Sequence, residues 1–108
     1  VIKQTTIMKL NAGIVTEKLA ESKAFYTNVL GFGVSFENDF YVLLHTPNHA
    51  AEFSLLAAEH PSQQPLFRPA YGGQGAYLTL EVLDVDDVYA RISRQNVPIA
   101  FAVRSEPW

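Results

Sequence analysis

The sequence predicts an α+β fold of paired βαβββ modules, with the second module incomplete at its C-terminal end. Three observations carry this. The stretch KAFYTNVL is amphipathic at helical spacing, halts at Gly31 and runs straight into the strand-like GVSFE. The same rhythm returns in DDVYARISRQNVPIAF. Superposing the two sets Val15 on Val82, Gly31 on Asn96, Val34 on Ile99 and Phe36 on Phe101, at offsets of about 65 to 67 residues, which marks an internal repeat.

Residues 8–15 are short and apolar and end at Thr16-Glu17-Lys18, as a strand entering a turn does. A helix follows over residues 19–30, where Leu19, Phe25, Tyr26, Val29 and Leu30 recur at steps of three, four and seven, with Gly31 placed for a left-handed C-terminal cap. Gly33–Glu37, Tyr41–His45 and Glu52–Ala57 read as three strands, separated by Asn38-Asp39 and by Pro47-Asn48. Module one thus spans about residues 8–57. Residues 58–75 hold three prolines and three glycines, which exclude a regular helix or central strand and read as a linker. Module two, about 76–108, opens with a strand over 76–82, in which Leu78, Leu80 and Val82 alternate with Tyr77, Thr79 and Glu81. Asp84 is placed to cap a helix carrying Val85, Val88, Tyr89 and Ile92 on one face, Asn96 ends it, and residues 99–103 form the next strand.

Composition bounds the function. With 48% hydrophobic residues, 108 residues supply a core for one domain. No cysteine is present, which excludes disulfides, thiolate metal sites and a cysteine nucleophile, and suits a reducing cytoplasm. Eleven acidic against eight scattered basic residues give a net charge of −3, a poor match for nucleic acid. No apolar run approaches the roughly 20 residues of a membrane span, and no secretion leader is visible. The chain opens on Val1, so VIKQTTI reads as a remnant ahead of a natural start at Met8.

A βαβββ unit with FYTNVLGF closing its helix, echoed by LEVLDVDDVYARI, resembles the glyoxalase, bleomycin-resistance and extradiol-dioxygenase superfamily, the vicinal oxygen chelate fold. The resemblance implies sheets curled into an open barrel, helices on the convex face, a substrate hollow on the concave face and, commonly, a homodimer. The ending EPW resembles the point where relatives enter a glycine-rich loop before their last strand.

The metalloenzymes of that family carry ligands on the first strand of each module and a glutamate on the last. If Val15 and Val82 face the helices, the first-strand ligand falls on Leu10 in one module and on Tyr77 in the other, and neither is a usual ligand at neutral pH. Glu52 resembles the glutamate position, but one carboxylate is not a metal site. The sequence therefore predicts neither metal nor cofactor. No HExxH, GxSxG or phosphate-loop motif occurs. His49 and His60 read as solvated loop residues, and Lys23, Arg91 and Arg94 as solvent-facing helix residues.

The expected concave set is Tyr41, His45, Glu52, Tyr77, Thr79 and Glu81, with Trp108 at the rim. Aromatic faces beside carboxylates favour flat or cationic organic molecules. The expectation is a metal-independent protein that binds a small organic molecule in a dimer cleft. The alternative is a metal-dependent lyase, isomerase or dioxygenase completed by the partner chain or by missing C-terminal residues.

Overall fold

Strands β3 (Tyr41–His45) and β4 (Glu52–Ala57) form the centre of the molecule's sheet because each alternates apolar residues with polar or larger ones, and their pairing puts the apolar ones on one side. They pair antiparallel, Leu44 against Phe53 and Val42 against Leu55. β2 (Gly33–Glu37) adds antiparallel to β3, and β1 (Ala12–Thr16) adds parallel to β4, giving the order β1-β4-β3-β2. The computed structural model describes residues 8–100, in two compact units divided between Gly73 and Gln74.

The parallel β1/β4 pair needs a crossover, and helix α1 (Leu19–Ala24) with its continuation Phe25–Val29 begins it. Phe32, Val42, Leu44, Phe53 and Leu55 are buried, with Ile14, Leu19, Tyr26 and Leu30 packed against them. A fully buried aliphatic side chain contributes about 1.5–3 kcal/mol, so this face holds the sheet together. The helix expected over residues 19–30 changes hand-hold rather than running through. Phe25–Val29 is a π-helical turn, closed by Leu30 N–H donating to the Phe25 carbonyl at 3.3 Å, with the Thr27 hydroxyl donating to the Lys23 carbonyl at 2.9 Å. In this wider turn Tyr26 meets Phe53 and Phe32 at ring distances of 5.0 and 5.5 Å. Burial pushes its phenol pKa up. Gly31, at φ +77°, then takes the left-handed conformation that a side chain would strain.

The first strand corrects the sequence reading in two ways. It starts at Ala12 rather than at residue 8, and its phase is reversed. Ile14 packs into the core beside Leu55, so Gly13 and Val15, opposite Ser54 and Leu56, face away from α1. The reading that turns Val15 toward the helices therefore fails: the partner strand fixes the phase, and alternation alone left it undetermined.

Two further side chains are better tied down than expected. Lys23 donates to Glu37 at 2.8 Å, and His60 stacks on Phe40 at 3.8 Å between ring centres while its Nδ1 meets Ser62 Oγ at 2.7 Å. The proline-rich loop is ordered by Arg68, whose side chain donates to the Gln63 and Pro61 carbonyls at 2.8 and 3.2 Å.

In the second unit, residues 76–82 form no β ladder among the described residues, which corrects the predicted strand. β1 is held by β4, about forty residues downstream, whereas no strand is assigned over residues 76–82 among the described residues. Helix α2 (Val85–Ser93) forms as expected, with Asp84 Oδ1 accepting from Asp87 N–H at 3.0 Å, and Asn96 adopts φ +57°. Gly31 and Asn96, equivalent in the repeat, are thus both left-handed.

Candidate recess on the open sheet face

The face of the sheet turned away from α1 carries Tyr41, Leu43 and His45 from β3 and Glu52, Ser54 and Leu56 from β4. His45 stands opposite Glu52. In β2 the regular pairing slips between Val34 and Phe36, a bulge that puts Phe36 against Leu43 on the open face and leaves Ser35 beside it. Glu37 returns to the helix side, where it meets Lys23.

At the His45–Glu52 end these residues line a recess of about 270 Å³ with Lys9, Ser35, His49, Ala50 and Ala51. The turn after β3 delivers His49: Thr46 N–H donates to the Ala51 carbonyl at 3.0 Å, and His49 takes φ +59°. Its ring stacks on His45 at 3.7 Å between centres and 14° between planes. The His45 Nδ1 lies 2.8 Å from the Thr46 carbonyl. A carbonyl only accepts, so Nδ1 carries a proton. The ring lies directly over Gly33, where a Cβ would collide with it. Glycine at the start of β2 is therefore what lets the imidazole lie flat.

Glu52 is the fixed point of the recess. Lys9 Nζ donates to its Oε1, and the side chain is only 17% exposed against 55% for Lys9. Its pKa is lowered, first by the Lys9 hydrogen bond and further by the Lys9 charge, a hydrogen bond from Ser35 and the charge of His45; together these outweigh desolvation, which pushes the other way. The carboxylate is thus held ionised.

Of the residues expected at the cleft, His45 and Glu52 line this recess. Tyr41 shares their face but lies at the opposite end of β3, across from Leu56, where its ring sits 6.2 Å from that of Phe36. Tyr77, Thr79 and Glu81 belong to the second unit and are exposed there, Tyr77 at 90%. Trp108 lies outside the described residues. Lys9, Ser35 and His49 were missed as site residues. His49 had a signal in its spacing from His45 across a Pro-Asn turn; Ser35 and Lys9 had none, since a bulge and a long-range ion pair place them.

A divalent ion needs several nitrogen or oxygen donors converging with open positions. In the first unit the open-face residues of β1 are Gly13 and Val15, which offer no side-chain donor, and the Glu52 carboxylate is already engaged by an ammonium. Among the described residues no three His, Asp or Glu side chains gather as a metal cluster. This recess does not fit the metal that the metalloenzymes of the fold use.

The sheet order, the crossover helix and the repeat define a βαβββ protein with a recess on the open face of its sheet. A sequence model of the Glyoxalase/Bleomycin resistance protein/Dioxygenase superfamily matches residues 5–108, and the chain belongs to that superfamily. Among solved structures it is similar to the crystal structure of a bleomycin resistance determinant encoded on the transposon Tn5. The TM-score is 0.56 at 16% sequence identity, covering 90% of this chain and 72% of that one. The likeness is one of fold. No curated protein sequence matches the chain. Among the described residues, no helix is long and apolar enough to cross a membrane.

Proposed function

We propose that this protein binds a small organic molecule carrying a positive charge and a flat ring, without covalent chemistry and without a metal. The observation that carries this reading is Glu52: an ionised, partly buried carboxylate on the open face of a sheet, beside a stacked imidazole pair. Such a carboxylate favours a cation, and flat neighbouring rings favour an aromatic one. The superfamily and the solved structure of a bleomycin resistance determinant support the same class of ligand.

The reading assigns the complete cleft to a homodimer, in which the open faces of two copies enclose a ligand larger than the 270 Å³ recess alone accepts. Tyr41, Tyr77, Thr79, Glu81 and Trp108 are proposed to line that larger cleft. The absence of cysteine supports a cytoplasmic location.

Isothermal titration of the purified, metal-stripped protein with metal-free bleomycin, followed by mass spectrometry of the recovered ligand, tests this. Saturable binding of about one ligand per cleft, with the ligand unchanged and no gain from added divalent ions, is expected. Binding that appears only with a divalent ion, or a ligand recovered in altered form, contradicts it.

A further inference from the structure

We infer that Lys9 is a built-in competitor for the ligand's cationic group, seated on Glu52 in the free protein and displaced when the recess fills. This rests on the reading above and adds to it a residue that opposes binding.

The two partners of the ion pair are anchored unequally. Glu52 belongs to β4, which is paired on both sides, and its side chain is 17% exposed beside His45 on the neighbouring strand. Lys9 belongs to residues 8–11, which form no strand, and its side chain is more than half exposed between the exposed Met8 and Leu10. Swinging Lys9 into water rehydrates an ammonium on a flexible stem and breaks no ladder bond. Removing the cation from Glu52 with nothing in its place leaves a partly buried carboxylate without its charged partner, which is unfavourable. The arrangement therefore favours one-for-one exchange: a ligand brings its own cation, Lys9 leaves, and the charge in the recess is unchanged.

The rest of the lining says what kind of cation. Ala50 and Ala51 leave room, and the stacked His45 and His49 rings offer a flat surface beside the carboxylate. The volume lies just below the roughly 300–1,000 Å³ of drug-sized pockets, so the recess takes one ring and its charged arm. An aromatic amidinium or ammonium fits that description, alone or as one arm of a larger molecule.

The two ends of a single ion pair must then act in opposite directions on affinity. Isothermal titration with benzamidine, and with the neutral isostere benzamide, is performed on the full chain and on Lys9→Met, Lys9→Arg, Glu52→Gln and the Lys9→Met/Glu52→Gln double variant. Lys9→Met tightens benzamidine by about two- to fivefold, the worth of a partly exposed ion pair. Glu52→Gln weakens it by about tenfold or more, and the double variant matches Glu52→Gln. Lys9→Arg, which keeps the charge, stays near the parent, and benzamide does not respond to Lys9→Met. Thermal unfolding of each variant identifies any loss of fold, and Lys9→Arg against Lys9→Met remains informative if Glu52→Gln is unstable. Lys9→Met that weakens benzamidine, or leaves it unchanged while Glu52→Gln abolishes it, overturns the competitor role and leaves the binding reading standing. Benzamidine binding to neither the parent nor Lys9→Met overturns both.

Discussion

The two halves of the chain begin with the same sequence rhythm and differ in their opening elements among the described residues. In the first, β1 is held parallel to β4 and the helix after it packs onto a buried core. In the second, the equivalent residues 76–82 form no β ladder among the described residues, yet the helix after them forms with its cap in place. The difference separates what is local from what is not. A helix closes its hydrogen bonds within itself, and Asp84 satisfies one of its orphan donors from the adjacent turn. A strand exists only through its neighbour, and β1 finds its own across the full length of the module.

The largest expected effect contrasts buried and exposed leucines. Leu44 in β3 is fully buried, and Leu44→Ala is expected to cost about 2–5 kcal/mol in urea denaturation. Leu80→Ala in the second unit, at an exposed position, is expected to change stability by no more than about 0.5 kcal/mol. Similar costs at the two positions would mean that residues 76–82 are packed in solution as β3 is.

Next comes the cap. Asp84→Ala removes the side-chain acceptor for Asp87 N–H and should cost about 1 kcal/mol, read as faster amide exchange in α2 with the first unit unaffected. Helix α1 has no side-chain cap at Lys18, so Lys18→Ala leaves α1 exchange unchanged. Accelerated exchange across β3 and β4 in Asp84→Ala would show the two units to be one cooperative body.

The smallest effect is electrostatic and confined to the first unit. The folded pKa of Glu52 is depressed, so its pairing with Lys9 contributes fully above the ordinary carboxylate range. That contribution is lost as pH falls through the lowered pKa. Glu52→Gln should therefore flatten the acid limb of the stability profile, and the parent and variant curves should converge at low pH. Parallel curves over that limb would mean the pair is not formed in solution.

Local signals were the legible ones. The bounds of Gly33–Glu37, Tyr41–His45 and Glu52–Ala57 follow from alternation between turn residues, and the left-handed Gly31 and Asn96 follow from residue type. His45 and Glu52 could be placed on one face because a strand's period is fixed. The phase of β1 could not, since Ile14 and Val15 are both apolar and only the pairing with Leu55 and Leu56 chooses between them. Lys9 and Ser35 were out of reach for the same reason: an ion pair from the residues ahead of β1 to β4 and a register slip in β2 are set by tertiary structure.

The open sheet face around Glu52 is the proposed place where a small cation is received. Proton–nitrogen correlation spectra of the labelled protein, recorded while metal-free bleomycin is added, test this directly. The largest shifts are expected on Ser35, His45, His49 and Glu52 and are expected to be lost in Glu52→Gln. Shifts centred on Leu19, Tyr26 and the buried face of the sheet, with those four amides unmoved, would contradict it.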